Sequence, residues 1–219
     1  MYYRQDLLNK LERKYGKYAV KNLMLVLVGA MAIVWLMDLM LSRQMGVSLY
    51  YTLMFDRAAI FEGEVWRIFT FLFLPPRSSL AFAILALYFY YSIGSTLEAQ
   101  WGSFGFTAYY LLGAVGAIIS GFITGYADNT YLNLTMFLAY AILFPRSEFR
   151  IFFLIPVEAK WLALADGVLL LWLFVTGSWS GRLGLIFALL NLVVFFAPHL
   201  KDYCVTLYRR WKWNQNFKK

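Results

Sequence analysis

Six apolar stretches set the terms on which this chain can fold. They run Leu23 to Leu41, Leu80 to about Leu97, Phe104 to about Tyr126, Tyr131 to Phe144, Trp161 to Thr176 and Leu183 to Ala197. A helix that crosses a bilayer needs about 20 mostly apolar residues. The fourth stretch is short and stops at Pro145, Pro198 closes the sixth, and Asp38 is the one charge in the first. Hydrophobic residues make up 62% of the chain and charged ones 15%, with mean hydropathy +0.61. A soluble domain carries about 45–50% apolar residues, and too few charges are present here to cover so much apolar surface. The expected fold is an all-α integral membrane protein, a bundle of six transmembrane helices. Aromatic residues at 20% suit the two membrane interfaces.

Positive charge gives the expected orientation, because short cytoplasmic loops and flanks collect Lys and Arg. The N-terminal flank (Arg4 to Lys21), the loop between the fourth and fifth stretches (Arg146, Arg150, Lys160) and the C-terminal tail hold fifteen of the 20 cations. The other side of a six-span arrangement holds five: Arg43, Arg57, Arg67, Arg77 and Arg182. Both termini are therefore expected in the cytoplasm, in a bacterial inner membrane or, alternatively, in the endoplasmic reticulum. The apolar region begins too late for a signal peptide. Three regions follow: a basic amphipathic segment at 1–21, a membrane domain at 22–200 and a basic aromatic tail at 201–219. The first places Leu7, Leu8, Leu11, Tyr15 and Tyr18 at roughly helical spacing, as a helix on an anionic membrane face would. In the tail, Tyr208 to Trp213 alternates cations with aromatics directly after a span, which fits a headgroup anchor better than a nucleic-acid surface. One cysteine, Cys204, and one histidine, His199, exclude a disulfide framework and any metal site built on several Cys or His. No cofactor is expected.

The longest connection, residues 42–79, is too apolar for a free linker. Val47, Leu49, Tyr50, Leu53, Met54 and Phe55 suggest a short helix lying in the interface, followed by Trp66-Arg67. Backbone at such depth must be satisfied by protein groups. Arginine can fork two hydrogen bonds to loop carbonyls while its stem stays apolar, and tryptophan adds a large ring with one N–H. The loop, with Glu-x-Trp-Arg leading into Phe-x-x-x-x-Pro, resembles that of the rhomboid superfamily. The run Gly94 to Phe106 is similar to the family's Gly-x-x-Leu-Glu-x-x-x-Gly-x-x-x-Phe signature, with Glu98, Gly102 and Phe106 in its fixed places. The resemblance covers roughly residues 22–200. It implies a rhomboid-like bundle with a membrane-embedded loop between the first two helices. Gly113, Gly116 or Ala117, Ser120 or Gly121, and Thr124 form a small-residue stripe fit for close helix approach.

Rhomboid proteases resemble one another in a Gly-x-Ser-Gly nucleophile at the start of span four and a histidine base in span six. Here span four reads Tyr131-Leu132-Asn133-Leu134-Thr135, without that serine. Laid over the family's histidine region, Ser180-Gly181-Arg182-Leu183-Gly184 puts Arg182 where the base belongs, and an arginine accepts no proton. His199 follows Pro198, at the far end of span six from the start of span four. The expectation is a scaffold without catalysis. Asn133, Thr135, Arg182 and Asn191 are its candidate client-contact or vestigial-site residues. Asn133 and Asn191 could hydrogen-bond across the old cavity or act as ordinary interhelical amide contacts. Asp166 would pair with Lys160, Arg150 or a backbone N–H, while Asp38 and Glu98, near span ends, need no special role. Glu148 to Trp161 reads as an extended amphipathic hairpin, a layout also similar to that of the derlins.

These readings lead to a non-catalytic rhomboid-like protein that binds transmembrane clients, in membrane-protein quality control or trafficking. The alternatives are a divergent intramembrane protease using Thr135 or Ser120, and a small transporter or channel, against which stands the lack of inverted repeats.

Overall fold

The computed structural model describes residues 10–46, 48–151 and 155–196. The C-terminal tail, His199 and the first nine residues lie outside the described residues. The described chain is mostly helical. Its elements are α1 (Leu23–Met45), α2 (Leu49–Leu53), β1 (Phe55–Asp56), α3 (Arg57–Phe61), α4 (Arg67–Thr70), α5 (Leu80–Thr124), β2 (Tyr126–Ala127), α6 (Thr130–Leu143), the strands β3 (Glu148–Ile151) and β4 (Ile155–Glu158), and α7 (Ala159–Thr176). A last helix, α8, covers Trp179–Phe196. Four helices are long and apolar enough to cross a membrane: Leu23–Gln44, Leu80–Thr124, Ala159–Thr176 and Trp179–Phe196. That makes the chain a helical protein of the membrane type. Helix α6, with 14 residues, is about 21 Å long, short of the roughly 30 Å hydrocarbon core.

Two of the expected stretches form one 45-residue element, α5, and the reason is local. Gly102 has φ 75° and ψ 160°, a conformation that only glycine adopts without strain. The break divides α5 into arms 80–101 and 103–124. Tyr90 of the first arm interacts electrostatically with Tyr110 of the second. Twenty residues of straight helix would separate them by about 30 Å, so the arms fold back on each other at Gly102. The Trp101 ring meets Tyr109 at 5.3 Å and Phe195 of α8 at 4.6 Å just past the turn. In the 18-residue windows that define the spans, 44% of α5 is buried against 17% of α1 and of α7. The α5 hairpin is the centre of the bundle, with α1 and α7 at its edge.

Glu98 fixes that turn. One oxygen, Oε1, accepts from the Asn22 backbone N–H and from Ser103 Oγ, both at 2.8 Å. Asn22 is the one described non-glycine residue with positive φ, at 53°, and it starts α1. Glu98 therefore does have a role at its helix end: it ties the first turn of α1 to the α5 hairpin. Glu98→Ala removes the acceptor of both bonds and costs about 2 kcal/mol. Glu98→Gln keeps an oxygen acceptor and costs less. Thermal unfolding in detergent checks this order, and equal midpoints for the two variants would remove the clamp from the account.

Asp38 is likewise occupied. Its Oδ1 accepts from Ser48 Oγ at 2.9 Å and Tyr50 N at 3.2 Å, holding the start of α2 against α1. Helix α1 runs four residues past its expected end and stops at Gly46, φ 67°, a left-handed C-terminal cap. Two small antiparallel ribbons interrupt the all-helical pattern. Phe55 pairs with Ala127 and Asp56 with Tyr126, while Glu148–Ile151 pairs with Ile155–Glu158 where the sequence reads as a hairpin. Phe55 is fully buried, edge-on to Phe71 at 5.8 Å and to Phe122 at 5.3 Å.

The small-residue stripe brings helices together. A Cβ at Gly113 would overlap Leu132, and one at Gly116 would stand 3.3 Å from Phe187. Close approach of α5 to α6 leaves no room for a side chain at Gly113, and at Gly116 even a methyl would press on Phe187 of α8.

Candidate functional site

The first turns of α6 and α8 and the end of α5 line a partly open cavity of about 140 Å³. Each wall has a local cause. The second arm of α5 ends at Gly125, φ 95°, whose N–H returns to the Gly121 carbonyl at 2.8 Å. The chain then pairs with β1 and enters α6, where Asp128 Oδ1 accepts from Thr130 N at 2.9 Å. Asn129 turns inward: its Nδ2 donates to the Leu72 carbonyl at 3.0 Å and the Leu74 carbonyl at 2.9 Å. That one amide fastens the loop before α5 to the start of α6. At α8, Ser178 accepts from Gly181 N, and Ser180 Oγ donates to the Tyr126 carbonyl at 3.3 Å. Tyr131 lies along α8 because Gly181 and Gly184 are bare. A Cβ at Gly181 would stand 2.7 Å from the Tyr131 hydroxyl oxygen, and one at Gly184 would stand 3.2 Å from its ring.

Ser120, Tyr126, Asp128, Tyr131, Ser178 and Ser180 supply the polar lining. Ser120 is 1% exposed, and its Oγ has no hydrogen-bond partner. Burial raises the Asp128 carboxyl above its usual range, and the bond from Thr130 offsets only part of the shift. A carboxyl raised in the fold binds a proton more tightly there than in the unfolded chain. Its contribution therefore weakens the fold as pH rises from the unfolded value near 3.8 through the folded one. Asp128→Asn is expected to raise the unfolding midpoint at pH 7, with the gain shrinking as pH falls toward 4. A gain that does not change with pH would contradict this.

The residues picked from sequence do not all meet here. Thr135 is fully buried, and its Oγ1 donates to the Leu132 carbonyl of its own helix at 3.0 Å. Asn133 and Asn191 do not bond to each other. Asn191 Nδ2 donates to the Tyr109 carbonyl at 3.2 Å, leaving Oδ1 without a partner. Asn133, 2% exposed, lies beside Tyr90 but outside hydrogen-bonding geometry, so neither amide atom is satisfied. Arg182 sits inside α8 rather than before it. Its Nη2 donates to the Val175 carbonyl at 2.8 Å, at the end of α7, and it does not line the cavity. Of the partners expected for Asp166, Lys160 pairs with Glu158 and the Arg150 side chain lies outside the described residues, while Asp166 Oδ2 has no hydrogen-bond partner among them. Ser120 is the serine weighed from sequence for the alternative protease, whereas Tyr131 was hard to find, because an aromatic at a span start is what packing alone produces.

Among the family-motif residues, Arg67 donates to the carbonyls of Tyr51 at 2.7 Å and Met54 at 3.1 Å, and its Nε pairs with Glu64. Trp66 is half-exposed, with its Nε1 at 3.4 Å from the Thr52 carbonyl. Phe106 is fully buried in the core.

Among the described residues, no group of His, Cys, Asp and Glu could hold a metal ion. The cavity offers hydroxyls and one carboxyl. It can bind an uncharged polar group, but its lining contains no imidazole to draw a proton from a serine. No protein-family model matches the chain, and no curated protein matches it.

Proposed function

We propose that this chain is a catalytically inactive, rhomboid-like membrane protein that binds transmembrane client segments. In this reading α1, the two arms of α5, α6, α7 and α8 are six spans, with both termini in the cytoplasm, and residues 42–79 are the membrane-embedded loop. The break at Gly102 supports the count, since each arm has the length of a span. Fifteen cations on one side against five on the other support the orientation.

The observation that carries the proposal is the make-up of the cavity between the starts of α6 and α8. By resemblance these two places hold the nucleophile and base of the proteases. In this chain they supply Tyr131, Ser178 and Ser180, and the one histidine of the sequence is His199. The short α6 adds a functional rationale: a span of about 21 Å thins the bilayer around it and eases the lateral movement of a client helix. The unsatisfied amide of Asn133 and the half-satisfied amide of Asn191 are polar contacts for such a helix.

Photo-crosslinking in membranes from positions flanking Asn133 and Asn191 tests this directly. Capture of single-span proteins is the expected result, and capture of none defeats client binding. A divergent protease is the second reading, supported by the free Ser120 hydroxyl in the cavity. Covalent labelling of Ser120 by a fluorophosphonate would favour it over the first.

A further inference from the structure

The cavity beside Ser120 has a chemistry of its own. A buried hydroxyl without a partner costs about 1–3 kcal/mol, and Ser120 Oγ is in that position. Ser120 is one of the residues that line a space large enough for several waters or a few heavy atoms of a ligand. The walls also decide the charge of what can enter. Asp128 lines the cavity, and no lysine or arginine does. An anion would meet the Asp128 carboxyl with no cation to offset it. A cation would gain little from that carboxyl, whose Oδ1 is already engaged by the Thr130 N–H and whose burial favours the uncharged form. Three serines, Tyr131 and the Asp128 carboxyl line it, groups that both donate and accept. A group that both donates and accepts and carries no charge satisfies every wall.

We propose that this cavity binds a small uncharged hydroxylated group, a polyol, with Ser120 as the contact at its wall. The group is either a free polyol or the glycerol end of a lipid headgroup. The site follows from the lining residues alone and does not depend on the rhomboid-like reading, so it survives a failure of client crosslinking.

The test uses the full chain in lipid vesicles with Cys204→Ser, so that a single introduced thiol reports. Ser120→Cys is treated with hydroxyethyl, sulfonatoethyl or trimethylammonioethyl methanethiosulfonate. Each rate is divided by that of Phe61→Cys, a position 76% exposed. The uncharged reagent is expected to react about tenfold faster than either charged one after this normalisation. Labelling is then repeated in phosphatidylcholine vesicles with added glycerol and in phosphatidylglycerol vesicles without it. Slower labelling with added glycerol identifies a free polyol. Slower labelling only in phosphatidylglycerol identifies the lipid headgroup. Equal normalised rates for the three reagents, no labelling at all, or protection in neither membrane overturns the proposal. If Ser120→Cys does not yield folded protein, Ser180→Cys lines the same cavity and must show the same order.

Discussion

Arg67→Ala is expected to cost about 3 kcal/mol of stability, on the order of a 10 °C drop in unfolding midpoint. The cause lies at the end of α2, a helix of five residues whose last carbonyls have no partner in their own helix. Arg67 Nη1 takes those of Tyr51 and Met54, Thr70 Oγ1 takes that of Leu53 at 2.8 Å, and Trp66 reaches that of Thr52. The Arg67 side chain is 10% exposed, so its loss leaves buried carbonyls and a Glu64 carboxylate unpaired. Arg67→Lys retains the charge but cannot reproduce the fork, and an intermediate loss is expected. Trp66→Ala should cost less than Arg67→Ala, because the ring is 46% exposed and its bond is long. Detergent unfolding curves rank the three, and an Arg67→Ala curve that overlays the parent would refute the structural role of this residue.

Gly121→Leu is expected to be the most disruptive single change in the helical core. Its Cβ alone would stand 2.6 Å from Phe55 Cε1 and 2.9 Å from Ala127 Cβ. Phe55 cannot yield, being fully buried and wedged edge-on between Phe71 and Phe122. Even Gly121→Ala should cost about 1–3 kcal/mol by overpacking, and leucine more. Gly167→Ala is the control. Nothing lies within 4 Å of its added Cβ, and alanine gains up to about 1 kcal/mol of helix propensity over glycine. The expected order in thermal unfolding is Gly167→Ala at or above the parent, Gly121→Ala below it, and Gly121→Leu failing to give monodisperse protein. Equal tolerance at both glycines would mean that the corner where β1 meets β2 is not packed as described.

Both predictions rest on residues that stand out in the sequence, but the reasons came from different places. Trp66-Arg67 announced itself as a polar pair in an apolar loop, and an arginine there has carbonyls as its natural partners. Which carbonyls, and that they belong to one short helix, required the fold. Gly102 was visible as a fixed glycine of a motif, and its backbone angles supplied the reason for it. Asn129 gave no signal, because an asparagine before a helix reads as an ordinary cap. It instead bonds to carbonyls 55 and 57 residues away in sequence. Asp38 and Glu98 were set aside for lying near helix ends, and those ends are where the chain needed acceptors. Asp166 erred in the other direction: Lys160 is close in sequence but is taken by Glu158.

The sequence by itself determined the solvent and the segments. Hydropathy is a local property, and runs of apolar residues of membrane length fix where helices must form. The chain's single histidine and single cysteine also exclude a metal site built on several of either. The tertiary structure alone decided which distant groups meet. It placed Glu98 on Asn22, Asn129 on the loop before α5, and the free hydroxyl of Ser120 in a cavity with Tyr131 and Asp128. Hydrogen-bond partners are chosen by where the bundle folds back, and in this chain the fold turns on the angles of one glycine, Gly102.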